Sequence, residues 1–150
     1  MANTFKSAML DVNTTDLTTL ITVPTADAGA TPPVPPTTVV VKSILVCNDS
    51  GSTTLLDVEV LRSSATFELF KAKSVATNTT TELLSQPLVL QESDVLKAQA
   101  NAANQVHIIV LYYVYVLIDL LYGEKHLHYH LELSRFEFLY HSFRVQLNWL

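Results

Sequence analysis

The side chains best spaced for chemistry in this chain are His126, His128 and His130, in the run His126-Leu127-His128-Tyr129-His130. Alternate residues of a β-strand share one face with Cα atoms roughly 6.5–7 Å apart, so two of these imidazoles can reach one metal ion. Glu132 lies nearby as an oxygen donor. A catalytic metal site needs a wider set of ligands on a Gly-rich framework, and the plain alternative for the three histidines is a polar strand face. Nucleophilic chemistry has no foothold, because the chain has neither a Gly-x-Ser-x-Gly elbow nor a Gly-rich phosphate loop. The carboxylate pairs Asp57/Glu59 and Glu92/Asp94 fall at strand and turn positions, where solvation explains them better than acid–base work. No catalytic residue and no cofactor is therefore expected.

Composition points the same way. The 150 residues are 49% hydrophobic and 15% charged, which suits one domain with a real core and excludes a disordered chain. Only 3 residues are glycine, few for an enzyme with tight catalytic turns. A net charge of −5 without a Lys/Arg cluster argues against nucleic acid as partner. The single Cys47 cannot close an internal disulfide and is expected as a small buried hydrophobe. The opening lacks the basic and apolar regions of a signal peptide. The most apolar run, Ile108 to Ile118, is about half the length of a spanning helix, so no membrane is expected as partner.

The elements that would position such residues are strands. Residues 1–16 are polar with isolated apolar points and read as an N-terminal arm. Leu17 to Val23 is a strand candidate, and the Pro-rich stretch 24–36 reads as an extended surface connector, since proline offers no amide to a ladder. From Val39 the β signal is dense. A β-branched run ends at Asn48-Asp49-Ser50-Gly51-Ser52, and Leu56, Val58 and Val60 alternate with Asp57 and Glu59. Further short runs follow at spacings of about 8–12 residues, which predicts an all-β, jelly-roll-like antiparallel sandwich over 17–117.

The run Val106 to Val116 is apolar on both faces, whereas a strand of an antiparallel sandwich normally shows one wet face. Its outer face must be covered, by residues 118–150 or by another subunit. Residues 118–150 change character abruptly: Thr, Ala and Pro vanish and aromatics crowd in, with the alternation preserved. They read as a C-terminal aromatic β-hairpin extension. The expected interface residues are Tyr112, Tyr113, Tyr115, Phe136, Phe138, Phe143 and Trp149, because aromatic area dominates protein interfaces.

Residues 2–117 resemble a group of small virion structural proteins of tailed phages of marine bacteria, cyanophages included. The resemblance lies in Met1-Ala2-Asn3-Thr4-Phe5-Lys6, in Thr22-Val23-Pro24, and in Ser43-Ile44-Leu45-Val46-Cys47-Asn48-Asp49-Ser50-Gly51-Ser52. It continues through Pro87-Leu88-Val89-Leu90-Gln91-Glu92-Ser93-Asp94-Val95-Leu96-Lys97 and Ala98-Gln99-Ala100-Asn101-Ala102-Ala103. The resemblance implies a non-enzymatic capsid decoration or cement protein of the bacteriophage head, or a neck, tail or fibre-adaptor part of the same fold. It would sit in the virion, assembled in the host cytoplasm, against the major capsid protein or other virion proteins and copies of itself, with a trimer expected by analogy. The group usually finishes near the place of Tyr115-Val116, so residues 118–150 have no counterpart in it. They are either an added docking hairpin or a reading-frame change. Two further readings are a cupin-like metal enzyme, whose Gly-rich pattern is missing here, and a carbohydrate-binding module. A structural metal held by His-x-His pairs from three subunits is the remaining use for His126, His128 and His130.

Overall fold

The computed structural model describes residues 2–116, which form nine antiparallel strands. They are β1 (Ala2–Asp11), β2 (Thr18–Thr22), β3 (Thr37–Asn48), β4 (Thr54–Arg62), β5 (Ala65–Val75), β6 (Thr79–Glu82), β7 (Leu88–Leu90), β8 (Val95–Ala100) and β9 (Val106–Val116). One sheet runs β1-β9-β3-β6, with β7 also on β3, and the other runs β2-β8-β4-β5. The pairs nest: β1 takes β9, β2 takes β8, β3 takes β6 and β7, and β4 takes β5. The chain is thus one long antiparallel ribbon, rolled so that β9 also meets β3 and β8 also meets β4. That is the wrapping of a jelly roll, and the fold is all-β as its alternation predicts. The chain divides into a compact unit Met1–Ile118, which holds these strands, and a unit Asp119–Leu150 outside the described residues. No helix among the described residues is long and apolar enough to cross a membrane.

Alternation fills the core. Val39, Val41, Ile44, Val46, Ile108 and Val110 of the first sheet meet Ile21, Leu56, Val58, Val60, Leu96 and Ala98 of the second, all buried. The bulge between Val41 and Ser43 inserts Lys42 as an extra residue and lets both halves of β3 keep their valines and isoleucine inside. Pro87 explains why the partner of β3 comes in two pieces, β6 and β7, since no ladder passes through it. Glu82 closes the gap: one carboxylate oxygen accepts the amides of Ile44 and Leu84 at 2.9 Å each, and the other accepts from Ser43 Oγ.

Two expectations are corrected, and β5 adds an irregularity. Residues 2–11 are not an arm but an edge strand paired along the whole of β9, because Ala8 and Leu10 pack on the core while Phe5, Ser7 and Met9 alternate outward. Cys47 is half-buried rather than buried, since its neighbours Val46 and Asn48 take the inward positions. On β5, Phe67 is exposed while Leu69 and Phe70 both touch the core; register shifts opposite Val58 break the simple alternation there.

Left-handed backbone is carried without glycine. Ser63 (φ 49°) and Ser64 (φ 68°) form the two-residue link between Arg62 and Ala65 that pair across β4 and β5. Positive φ at both central residues is the geometry Asn-Gly favours, and serine tolerates it at a cost of about 1–2 kcal/mol per residue. Buried polar groups are tied down elsewhere. Asn48, fully buried, donates Nδ2 to the carbonyls of Ser52 (2.9 Å) and Val75 (3.0 Å), and its Oδ1 accepts from the Ser50 amide and hydroxyl. Burial in this way also removes Asn48 as a glycan acceptor. Asp94, fully buried, accepts both Arg62 Nε (2.7 Å) and Arg62 Nη2, together with the Gln91 amide (2.7 Å).

Three carboxylates sit below their ordinary range. The hydrogen bond from Arg62 lowers Asp94 against its burial, and the Lys71 ammonium does the same for Asp57 with help from the Ala72 amide and Gln99. At Glu82 burial pushes upward, and the bonds from Ser43 and the nearby amides outweigh it. Lowered folded-state values stabilise the fold above the ordinary carboxylate range, and that contribution is lost as pH falls through the lowered values. Acid titration of stability should therefore show a loss beginning near about pH 4, and Asp94→Asn should flatten it. Asn48→Ala should cost about 2–3 kcal/mol by denaturant unfolding, from the lost bonds to the Val75 carbonyl and the Ser50 amide, while the Ser50 hydroxyl keeps its bond to the Ser52 carbonyl. Ser63→Asn with Ser64→Gly should raise the melting temperature, a gain of about 1–2 kcal/mol.

Candidate functional site

The outer faces of the two sheets differ in kind. On the second sheet, the outward positions of β4 and β8 carry Asp57 opposite Gln99 and Glu59 opposite Lys97, a charged centre flanked by Leu55 at one end and Leu61 opposite Val95 at the other. Lys71 Nζ reaches Asp57 at 2.8 Å and Glu68 at 3.3 Å on the same side.

On the first sheet the outward residues line up in rows across the strands. Met9 stands beside Ile109, Leu45 and Glu82; Ser7 beside Leu111 and Ser43; Phe5 beside Tyr113, Val40 and Val89. Phe5 and Tyr113 meet with ring centroids 4.9 Å apart, and Tyr113 lies 6.2 Å from Tyr115. The sheet thus presents two mainly apolar rows several strands wide, with Leu111 between Ser7 and Ser43 in the row that separates them. Its side chains remain substantially accessible: Met9 75%, Phe5 55%, Val89 53% and Tyr113 36%. Exposed apolar side chains grouped on one face are the feature of this sheet that its own core does not explain.

One end of the surface is polar and charged. His107 stands between Asp11 and Asp49, its Nε2 3.1 Å from Asp49 Oδ2 and its Nδ1 3.5 Å from Asp11 Oδ1. Cys47 is the next residue across the row from His107. The arrangement is a mainly apolar face with a charged end. Among the described residues no group of three or more His, Cys, Asp or Glu side chains is placed to hold a metal ion.

The expected interface residues separate. Tyr113 and Tyr115 share the outer face, whereas Tyr112 points to the other side of β9, pairs with Val41 and packs against the core. Phe136, Phe138, Phe143 and Trp149 lie outside the described residues, as do His126, His128 and His130. Phe5, Met9, Val40 and Val89 join the surface without having been expected there. For Phe5 and Met9 the signal was in the sequence, as large apolar residues in phase on β1, but the strand that aligns them, β9, is about a hundred residues away.

No family model matches the chain, and no curated protein matches it. Solved structures give looser likenesses. An acid-stable capsid structure of Helicobacter pylori bacteriophage KHP30 is similar at 14% identity and a TM-score of 0.46, over 77% of this chain and 89% of that one. A pentameric capsid protein from metagenomic phage sequences is similar at 17% identity and a TM-score of 0.39, over 72% and 58%. Eiger TNF from S. frugiperda is similar at 15% identity and a TM-score of 0.32, over 77% and 94%. Likenesses this loose carry no argument about what the chain does, and the surface must be judged on its own chemistry.

A paired substitution tests whether the surface is free. Val89 and Leu90 are adjacent on β7, one 53% exposed and the other fully buried. Val89→Lys should change unfolding free energy by no more than about 0.5 kcal/mol, whereas Leu90→Lys should unfold the protein. Equal damage from both would show that Val89 is packed.

Proposed function

We propose that the protein is a non-enzymatic structural component of a tailed-phage virion, most specifically a decoration or cement protein that binds the head and bridges its subunits. The observation that carries a structural role is the contrast between the two outer faces, one charged at its centre, the other mainly apolar across β1, β9, β3 and β7. An enzyme needs a concave site with convergent polar groups. This surface is broad, and its polar groups, Ser7, Ser43 and Glu82 within it and His107 at one end, do not converge on a cleft.

The virion setting is supported by the sequence resemblance in residues 2–117 to small phage structural proteins. In that setting the apolar face docks on the major capsid protein or another virion protein. An interface of roughly 1,200–2,000 Å² is enough for specific binding, and many copies on one particle add avidity. The first proposed residues of contact are Phe5, Met9, Val89, Tyr113 and Tyr115. Phe136, Phe138, Phe143 and Trp149 extend the same proposal to the C-terminal segment.

Particles carrying the protein should lose resistance to heat and low salt when it is stripped, and regain it when the protein is added back. A Val89→Lys, Tyr113→Lys double variant, folded by circular dichroism, should fail to restore it. Unchanged resistance after stripping would overturn the cement role. Copy number then locates the protein, since a shell component follows the head lattice and a neck or tail part follows a single ring. Absence from purified particles would overturn the virion role altogether.

A further inference from the structure

We infer that β1 is a self-pairing edge through which two copies of this chain join into one continuous sheet, antiparallel and centred on Ser7. The inference concerns the strand edge, not the apolar face, and stands whether or not the particle-binding role above does.

β1 ends the order β1-β9-β3-β6, so among the described residues one whole side of this ten-residue strand has no ladder partner. Which groups it offers follows from its neighbour. The Val12 amide donates to Val106 O at 3.0 Å and the Val12 carbonyl accepts from Asn104 N at 2.8 Å, so Val12 turns its backbone toward β9. In an antiparallel ladder that orientation alternates, so Leu10, Ala8 and Lys6 also turn inward to β9. Phe5, Ser7 and Met9 therefore turn their N–H and C=O groups to the open side. A long edge of this kind is a ready template for another strand unless charge or proline blunts it. β1 contains no proline and one cation, Lys6.

In the ten residues of β1 the longest symmetric pairings centre on Lys6 or on Ser7, and Lys6 decides between them. A symmetric antiparallel pair must place each open-side residue opposite another open-side residue. Shifting the dyad to Lys6 sets two ammonium groups directly opposite one another, which opposes pairing. Centring on Ser7 avoids this and places Lys6 opposite Ala8 of the other copy. It also sets Phe5 opposite Met9 of the other copy, twice, with the two small Ser7 side chains between. These large apolar side chains stand on the outer face of the sheet, 55% and 75% exposed in the single chain. Pairing covers part of both and runs the apolar surface of one copy into that of the next. The occupant that fits this edge is therefore a second copy, in two-fold rather than three-fold association.

The test uses the full-length chain. Light scattering across a concentration series should show a monomer–dimer equilibrium. Ser7→Pro should abolish the dimer while keeping the fold, because the proline removes an amide that faces the open side and not β9. Ser7→Lys, which needs no special backbone, should do the same by placing like charges on the dyad. Ser7→Cys should crosslink to a dimer on mild oxidation, since residues exchanging both hydrogen bonds lie about 5.5 Å apart at Cα; Phe5→Cys should not. A wild-type chain that stays monomeric at all concentrations, a dimer that survives both Ser7→Pro and Ser7→Lys, or equal crosslinking at positions 5 and 7 would overturn the inference. Loss of the dimer in Ser7→Lys with particle binding intact would separate this edge from the docking face.

Discussion

Everything in this fold turns on β9, which lies between β1 and β3 and shows apolar side chains on both sides. Toward the interior, Val106, Ile108 and Val110 are fully buried and form the middle of the core. Toward the exterior, Ile109, Leu111, Tyr113 and Tyr115 form the middle of the exposed face. A strand so placed cannot be satisfied by its own sandwich alone. The first demand is met by the second sheet, whose Leu56, Val58 and Leu96 close over it. The second demand is left to whatever meets the outer face, and burying apolar area there is worth roughly 25 cal/mol for each Å² removed from water.

The remaining strands serve that arrangement. The nested ribbon brings the first strand beside the last, which sets Phe5 and Met9 alongside Tyr113 and Ile109. The split of the β3 partner into β6 and β7 brings Val89 into the same row as Val40, while Glu82 repairs the ladder between them. The buried polar anchors lie away from the face, at Asn48 under the β3–β4 turn and at Asp94 beside Arg62. The buried polar anchors and the exposed apolar face thus rest on different residues.

Much of the fold was legible in local pattern. The β-branched run of β3, the turn chemistry at Asn48-Asp49-Ser50-Gly51-Ser52 and the alternation Leu56, Val58, Val60 are all decided by neighbours in sequence, whereas the stretch 24–36, expected as extended, folds back so that Asp27 and Val34 exchange backbone hydrogen bonds at 2.8 Å. The exceptional character of Val106 to Val116 was also readable, because two-sided apolarity is a property of one segment. What escaped were properties set by distant partners. β1 looked like an arm because Phe5 and Met9, its largest apolar residues, point away from the core. Cys47 was assigned to the wrong environment, and Tyr112 falls on the opposite side of β9 from Tyr113 and Tyr115, because period two fixes which residues share a face but not which face is inside. The bulge at Lys42 shifts that phase within β3, and no residue type announces it. Of the expected contact residues, Tyr113 and Tyr115 share the exposed face, which is a consequence of where β1 and β3 place β9.

The central claim is that the outer face of the β1-β9-β3 sheet is covered by another protein in the assembled state. Covalent side-chain footprinting of the full-length chain, free and on purified particles, measures this directly. The account predicts that Phe5, Met9, Val89 and Tyr113 lose labelling on the particle while Glu59 and Lys97 of the opposite face keep theirs. Equal labelling of Phe5, Met9, Val89 and Tyr113 in both states would contradict it.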